Sequence, residues 1–117
     1  MPVNAYKIIS RKIENLYISF KIEAKSKKIT INFTPHVIER AKLWRLKESA
    51  IIDALLFPDE VVTGHGKRFI AHKVRSSSII RVIYEYRDKT VFVITVYVPS
   101  KERYFQGGNI YADKILP

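Results

Sequence analysis

Two side chains suited to phosphate chemistry lie one helical turn apart at the clearest helix start in the sequence. Thr34 offers the hydroxyl of a good N-cap, and Pro35 suits the first helical position, where no N–H donor is needed. The predicted helix then carries His36 and Arg40, which are four residues apart and therefore share a face. An imidazole exchanges protons near neutral pH, and a guanidinium binds phosphate oxygens. The plainer interpretation of His36 is an exposed first-turn histidine without a role.

Further candidates lie on predicted strands and in the tail. Metal-free RNA cleavage needs a base for the 2′-hydroxyl, cations for the charged phosphorane and an acid for the leaving 5′-oxygen. If the strand faces come into register, the basic and phenolic side chains converge with the helix and supply these roles. The predicted catalytic residues are His36, Arg40, Arg81 and Tyr97, and the predicted nucleic-acid-binding residues are Lys73, Arg75, Arg103 and Tyr104.

These candidates also have ordinary structural interpretations. Thr95 and Tyr97 alternate as half-buried strand residues do, and Arg75 and Arg81 fit a solvated basic face. His65 and His72 are interpreted as a turn residue and a strand residue without a role. The alternatives stay open at this point.

The charge of the chain favours an anionic partner. Its 117 residues include 21 Lys and Arg against 11 Asp and Glu, which gives a net charge of +10 and a pI of about 9.9. A charge of this size is typical of proteins that bind nucleic acid, and it also fits a basic protein neutralised by an acidic one. We expect RNA, the ribosome or an acidic protein as the partner.

Several functional classes are not expected. The chain has no cysteine, so it has no thiolate nucleophile or thiolate metal site, and this fits a cytoplasmic protein. The three histidines lack metal-ligand spacing, so we predict no metal and no cofactor. No apolar run is long enough to span a membrane, and residues 1–4 lack the features of a signal peptide.

Hydrophobic periodicity predicts one α+β domain over residues 1–117. Alternation over residues 16–22 and 29–33 predicts a β-hairpin, and residues 67–98 predict an antiparallel meander. Helical periodicity covers residues 35–57 up to Pro58, although Arg45 to Lys47 marks a break so poorly that one kinked helix is the alternative. We predict a twisted antiparallel sheet, preceded by the hairpin, with two helices packed on one face. The expected core of the helices is Val37, Ile38, Ala41, Trp44, Ile51, Ile52 and Leu55.

The order of these elements, with His36-Val37-Ile38-Glu39-Arg40 opening the helices, resembles the RelE/ParE toxin superfamily over residues 35–106. It is most similar to an uncharacterised branch with a histidine, three residues and an arginine at this position. The branch usually has a glycine where this chain has Arg45, and a serine or threonine cap where it has Lys47. The resemblance implies a basic sheet face, and several such relatives cleave RNA, often on the ribosome, without a metal.

Three functions therefore compete. The first is a RelE-like toxin or metal-independent endoribonuclease with a possible acidic antitoxin. The second is a non-catalytic nucleic-acid binder whose tyrosines stack on bases while Lys and Arg hold phosphates. The third is a ParE-like module that binds a protein partner. The tyrosines assigned to stacking are Tyr84, Tyr86, Tyr97 and Tyr104.

Overall fold

The computed structural model describes residues 5–117. Residues 1–4, where the sequence shows no signal-peptide features, lie outside the described part. Seven strands form one sheet in the order β1-β2-β3-β7-β6-β5-β4. The elements are β1 (Lys7–Glu14), β2 (Tyr17–Ala24), β3 (Lys27–Phe33), α1 (Pro35–Leu43), α2 (Glu48–Leu56), β4 (Glu60–Thr63), β5 (Phe69–Arg75), β6 (Ser78–Arg87), β7 (Thr90–Tyr97) and α3 (Lys101–Tyr104).

The α+β class is confirmed, but the sheet is mixed and not antiparallel throughout. The meander β5-β6-β7 and the hairpin β2-β3 are antiparallel as predicted, and β1 adds a third strand to that hairpin. However, β3 pairs with β7 in parallel through Ile31 to Phe33. Turn residues and alternation indicate hairpins between neighbouring strands, whereas this pairing joins distant segments and leaves no local signal.

The core lies between one face of the sheet and the two longer helices. Phe20, Ile31 and Val91 form one buried cross-strand row on that face. The prediction for the helices is confirmed for Val37, Ala41, Ile51, Ile52 and Leu55, which are buried, and Ile38 is partly buried against the same cluster.

The prediction that Trp44 lies in the core is wrong. Its side chain is 42% exposed, because α1 ends at Leu43 and Trp44 is the residue that caps it. The chain then turns through Arg45 in the left-handed region, with φ of 54°. This turn directs Leu46 into the core in place of Trp44.

The same turn separates α1 from α2, so the kinked single helix is excluded. The N–H of Leu46 donates to the carbonyl of Ala41 at 2.8 Å, and the N–H of Arg45 donates to Lys42 at 3.1 Å. These bonds satisfy carbonyls at the end of α1, as a Schellman-type ending does. Lys47 stands at the N-cap of α2 without a side-chain capping bond.

The C-terminal segment, residues 105–117, returns to the sheet and covers the outer edge of β4. The N–H of Val61 donates to Ile110, and the N–H of Ala112 donates to Val61, both at 2.8 Å. Asp113 then accepts hydrogen bonds from the hydroxyls of Tyr84 and Tyr86, each at 2.7 Å. Within the described residues, no helix is long and apolar enough to cross a membrane.

Candidate active site on the open sheet face

Four polar side chains line up directly across four neighbouring strands. Glu60 of β4 is the register partner of His72 in β5, His72 is the partner of Arg81 in β6, and Arg81 is the partner of Tyr97 in β7. Their chain neighbours Val61, Ala71, Val82 and Val96 belong to the core under the helices. Because side chains alternate along a strand, this polar row (Glu60, His72, Arg81 and Tyr97) lies on the opposite face of the sheet, away from α1 and α2.

At its β4 and β5 end, the polar row consists of a buried carboxylate and a buried imidazole. Glu60 and His72 are both fully buried, and the Nδ1 atom of His72 lies 2.6 Å from Oε2 of Glu60. The backbone N–H groups of Gln106 and Gly108 also donate to this carboxylate, at 2.9 Å each for the shorter contacts. The segment after α3 therefore closes over the buried pair.

The surroundings of this pair set its charge. Burial on its own raises the pKa of Glu60, but the His72 and backbone donors outweigh it, so the pKa lies below its usual value. Burial also lowers the pKa of His72, and the nearby positive charge of Arg81 lowers it further against the effect of Glu60. We therefore assign an ionised Glu60 and a neutral His72 with its proton on Nδ1.

This assignment explains how Arg81 is held. A neutral imidazole that donates from Nδ1 has an acceptor lone pair on Nε2, and Nη1 of Arg81 lies 2.8 Å from that atom. The guanidinium also stacks over the ring of Tyr104 at 4.0 Å and lies 5.7 Å from the ring of Tyr97. His72 uses only one of the guanidinium nitrogens, Nη1. The Nε atom is buried without a hydrogen-bond partner among the described residues. Arg81 is thus a positioned cation with donors to spare.

At its β7 end, the polar row is aromatic and partly exposed. The rings of Tyr97 and Tyr104 meet edge to face with centroids 6.2 Å apart. Burial, and then the neighbouring Tyr104, raise the pKa of Tyr97, so this phenol keeps its proton at neutral pH. Arg81 and Tyr104 line a cleft of about 620 Å³, whose other walls come from β4, β5 and the C-terminal segment.

His36 joins the same face from α1. Because β3 pairs with β7 only as far as Val93, α1 lies beside the rest of that strand, and Thr34 bonds to Val93 and Ile94. Thr34 also caps the helix as predicted, accepting from the N–H of Val37 at 3.3 Å. Nε2 of the exposed His36 lies 3.1 Å from Oγ1 of Thr95, two residues before Tyr97 on the same strand. His36 therefore borders the polar row.

The other predicted residues fall into two groups. Arg40 is partly buried one turn after His36, and Arg103 lies on α3 with its guanidinium 5.2 Å from the Tyr104 ring. Lys73, in contrast, donates to the carbonyl of Phe57 at 2.6 Å on the helix side, and Arg75 shares that side of β5. The structure does not bring Lys73 and Arg75 together with Arg81, because His72 is the residue opposite Arg81.

Glu60 and His72 are the two members of the site that the sequence interpretation missed. The Ser76-Ser77 turn between β5 and β6 holds a signal for His72, because pairing Arg75 with Ser78 across it places His72 opposite Arg81. Glu60 follows Pro58 and Asp59 in a short strand, and nothing in its local pattern indicates burial. Among residues 5–117, no group of three or more His, Asp or Glu is placed to hold a metal ion.

The tyrosines assigned to base stacking are not equivalent. Tyr84 is buried in the core, so it is not available to a nucleic-acid base. Tyr86 is partly exposed and donates to Asp113. Tyr97 and Tyr104 are the two that lie beside Arg81.

Residues 33–98 match a family described as a domain of unknown function, DUF4258. The match runs from the end of β3 to the residue after β7, so it contains His36 and the whole polar row but not Tyr104. The comparisons with curated proteins and with solved structures found no significant match. Because the matched residues make up more than half of the sequence, the chain belongs to the DUF4258 family.

Proposed function

We propose that this chain is a RelE-like, metal-independent ribonuclease that acts on cytoplasmic RNA, such as mRNA on the ribosome, with an acidic antitoxin as its protein partner. The observation that carries the proposal is Arg81, a guanidinium fixed by a neutral histidine and an aromatic ring at the wall of an open cleft. Two helices on one sheet face and a basic group on the other also fit the RelE-like arrangement. The net charge of +10 supports an RNA substrate.

Two members of the polar row, Arg81 and Tyr97, and the bordering His36 support a complete acid–base reaction. Arg81 binds the scissile phosphate and neutralises the negative charge that develops on it. His36 removes the proton of the 2′-hydroxyl, whose oxygen then attacks phosphorus, and Tyr97 gives its proton to the departing 5′-oxygen. The bond from phosphorus to the 5′-oxygen breaks, so the products carry a 2′,3′-cyclic phosphate and a 5′-hydroxyl. Arg40 adds positive charge one turn along the His36 face.

A binding module without catalysis is the second candidate, and the aromatic stack favours it. The guanidinium of Arg81 lies beside the rings of Tyr97 and Tyr104. Such a group binds phosphate and stacks on nucleobases without a catalytic base or acid. In this function His36 contributes charge or hydrogen bonding and transfers no proton.

Cleavage of labelled RNA by the purified protein in the presence of EDTA tests the proposal. We expect cleavage by the wild type and by Arg75→Ala, which removes an exposed arginine from the other face. Arg81→Ala should cut at least about a hundredfold more slowly, because it removes the group that stabilises the transition state. The cleavage rate of His36→Ala should be lower than that of the wild type by about a hundredfold or more.

The control results decide between the functions. If the losses are chemical, Arg75→Ala and His36→Ala should unfold close to the wild-type temperature. Arg81→Ala should unfold somewhat earlier, because it leaves Nε2 of buried His72 without a donor, but should stay folded at the assay temperature. RNA that stays intact but binds with a steep salt dependence would select the binding module. Capture of one acidic protein without any affinity for RNA would reject both candidates in favour of a ParE-like module.

A further inference from the structure

The two edge strands of the sheet, β4 and β1, differ in whether another segment covers their outer side. At the β4 edge, the C-terminal segment bonds to both the N–H and the C=O of Val61 and so covers the outer side of the strand. At the other edge, no strand from residues 5–117 pairs with the outer side of β1. We propose that a second copy of this chain pairs there, with β1 against β1 in antiparallel orientation, to form a symmetric dimer.

The strand β1 combines edge-protecting features with exposed apolar side chains. Proteins protect long edges with proline, with strand shortness or with charges along the strand. Its eight residues include four charged ones, Lys7, Arg11, Lys12 and Glu14, and a bulge at Ile9, but no proline. Its isoleucines are nevertheless exposed: 42% for Ile8, 50% for Ile9 and 67% for Ile13. A long edge with exposed apolar side chains is the type that recruits another strand.

The sequence of β1 is complementary to itself. Ile8 and Ile13 both face the helix side, opposite Ile22 and Ile18, because the bulge at Ile9 shifts the register between them. If the two-fold axis passes through Arg11, each Ile8 lies opposite Ile13 of the other copy. The next pair outward on the other face is Lys7 with Glu14, which are opposite in charge. The same bulge therefore brings both an apolar pair and an ion pair into register.

The like charges at the axis are already compensated. Two Arg11 side chains would face each other there, and like charges in directly opposite positions destabilise a pair of strands. In each copy, however, Nε and Nη2 of Arg11 bind the two oxygens of Glu48 in α2, both at 2.9 Å. Each arginine thus brings its own counter-ion, and the axis carries no uncompensated charge.

A charge-swap experiment tests the register. Sedimentation equilibrium at low salt should give a dimer for the full chain and a weaker one, by about tenfold or more, for Lys7→Glu and for Glu14→Lys. Mixing these two variants should restore the association, because each new pair across the axis then joins opposite charges. Ile13→Lys should be monomeric while keeping the circular dichroism of the wild type.

Two results would overturn the proposal. One is a wild type that stays monomeric at a few hundred micromolar, and the other is a dimer that neither charge variant weakens, since it would use another surface. Glu102→Lys, on exposed α3, is the matched control for the change in net charge and should dimerise like the wild type. Because the readout is mass, the result is independent of RNA cleavage.

Discussion

The two nitrogen atoms of His72 have opposite roles, and this asymmetry positions Arg81. Nδ1 lies against the Glu60 carboxylate and donates, so Nε2 is left to accept from the guanidinium. A protonated His72 would have a donor on both nitrogens and would face Arg81 as a like charge. The site therefore requires a neutral His72, and burial provides it by lowering the pKa.

The lowered pKa of His72 makes folding stability depend on pH. In the unfolded chain a histidine binds its proton near pH 6.5, whereas the folded protein binds it only at lower pH. The unfolded state therefore binds more protons below about pH 6.5, and the free energy of unfolding falls as the pH drops from there. Above that pH, His72 contributes no slope.

Urea unfolding at pH 7, 6 and 5.5 should show this slope in the wild type, at most about 1.4 kcal/mol per pH unit from this one group. His72→Gln should unfold more easily at every pH but lose that part of the slope. His65→Gln replaces an exposed turn histidine and should keep it. An unchanged slope in His72→Gln would show that His72 is not held neutral.

At the scale of elements, the backbone is strained at Arg45, where α1 ends, and a glycine there should relieve the strain. Arg45 adopts φ of 54°, a conformation that costs a non-glycine residue on the order of 1 kcal/mol. Arg45→Gly should therefore raise the free energy of unfolding by about 0.5–1 kcal/mol. Arg45→Ala also removes the side chain but keeps the Cβ atom, so it should give no such gain. Equal stability of the two variants would mean that the strain is absent.

Local patterns in the sequence predicted those elements whose apolar residues face one way. The alternation of Ile18, Phe20 and Ile22 predicts β2, and Thr34 with Pro35 predicts the start of α1. β1 shows no alternation because its residues are exposed on both faces, so the short apolar run at residues 6–10 indicates an element of uncertain type. Helical periodicity wrongly places Trp44 in the core, because the pattern continues past the point where the backbone turns.

The candidate site was only partly predictable for a similar reason. Arg81 and Tyr97 follow from the register of the meander, and His36 follows from the helix start. Glu60 depends on donors from Gln106 and Gly108, which are more than forty residues away in the chain. Such long-range hydrogen bonds leave no periodicity in the sequence.

At the scale of the whole molecule, the C-terminal segment contacts both the edge strand β4 and the core. It covers β4, supplies Asp113 to two tyrosines and buries Ile115 and Leu116. Burial, and then the hydrogen bond to Asp113, raise the pKa of Tyr84 and of Tyr86. These phenols therefore stay protonated and act as donors.

Replacing Asp113 should loosen this closure. Both hydroxyls bind the same oxygen, Oδ2, so Asp113→Asn keeps an acceptor for them but removes the charge from both bonds. We therefore expect a loss of about 1–3 kcal/mol in urea unfolding. Asp88→Asn is the matched control, because asparagine tolerates the positive φ of that turn. A loss no larger than that of Asp88→Asn would mean that the segment is held by its apolar contacts alone.

The most direct test of the central claim compares two RNA oligomers that differ at one position. Incubated with the protein in EDTA, an all-ribose oligomer should give fragments ending in a 2′,3′-cyclic phosphate and a 5′-hydroxyl. The same oligomer with a 2′-deoxy nucleotide at the cleaved position should stay intact there, because it lacks the attacking oxygen. If the all-ribose oligomer stays intact, or if the deoxy position is cut equally well, the proposed reaction at Arg81 and His36 is contradicted.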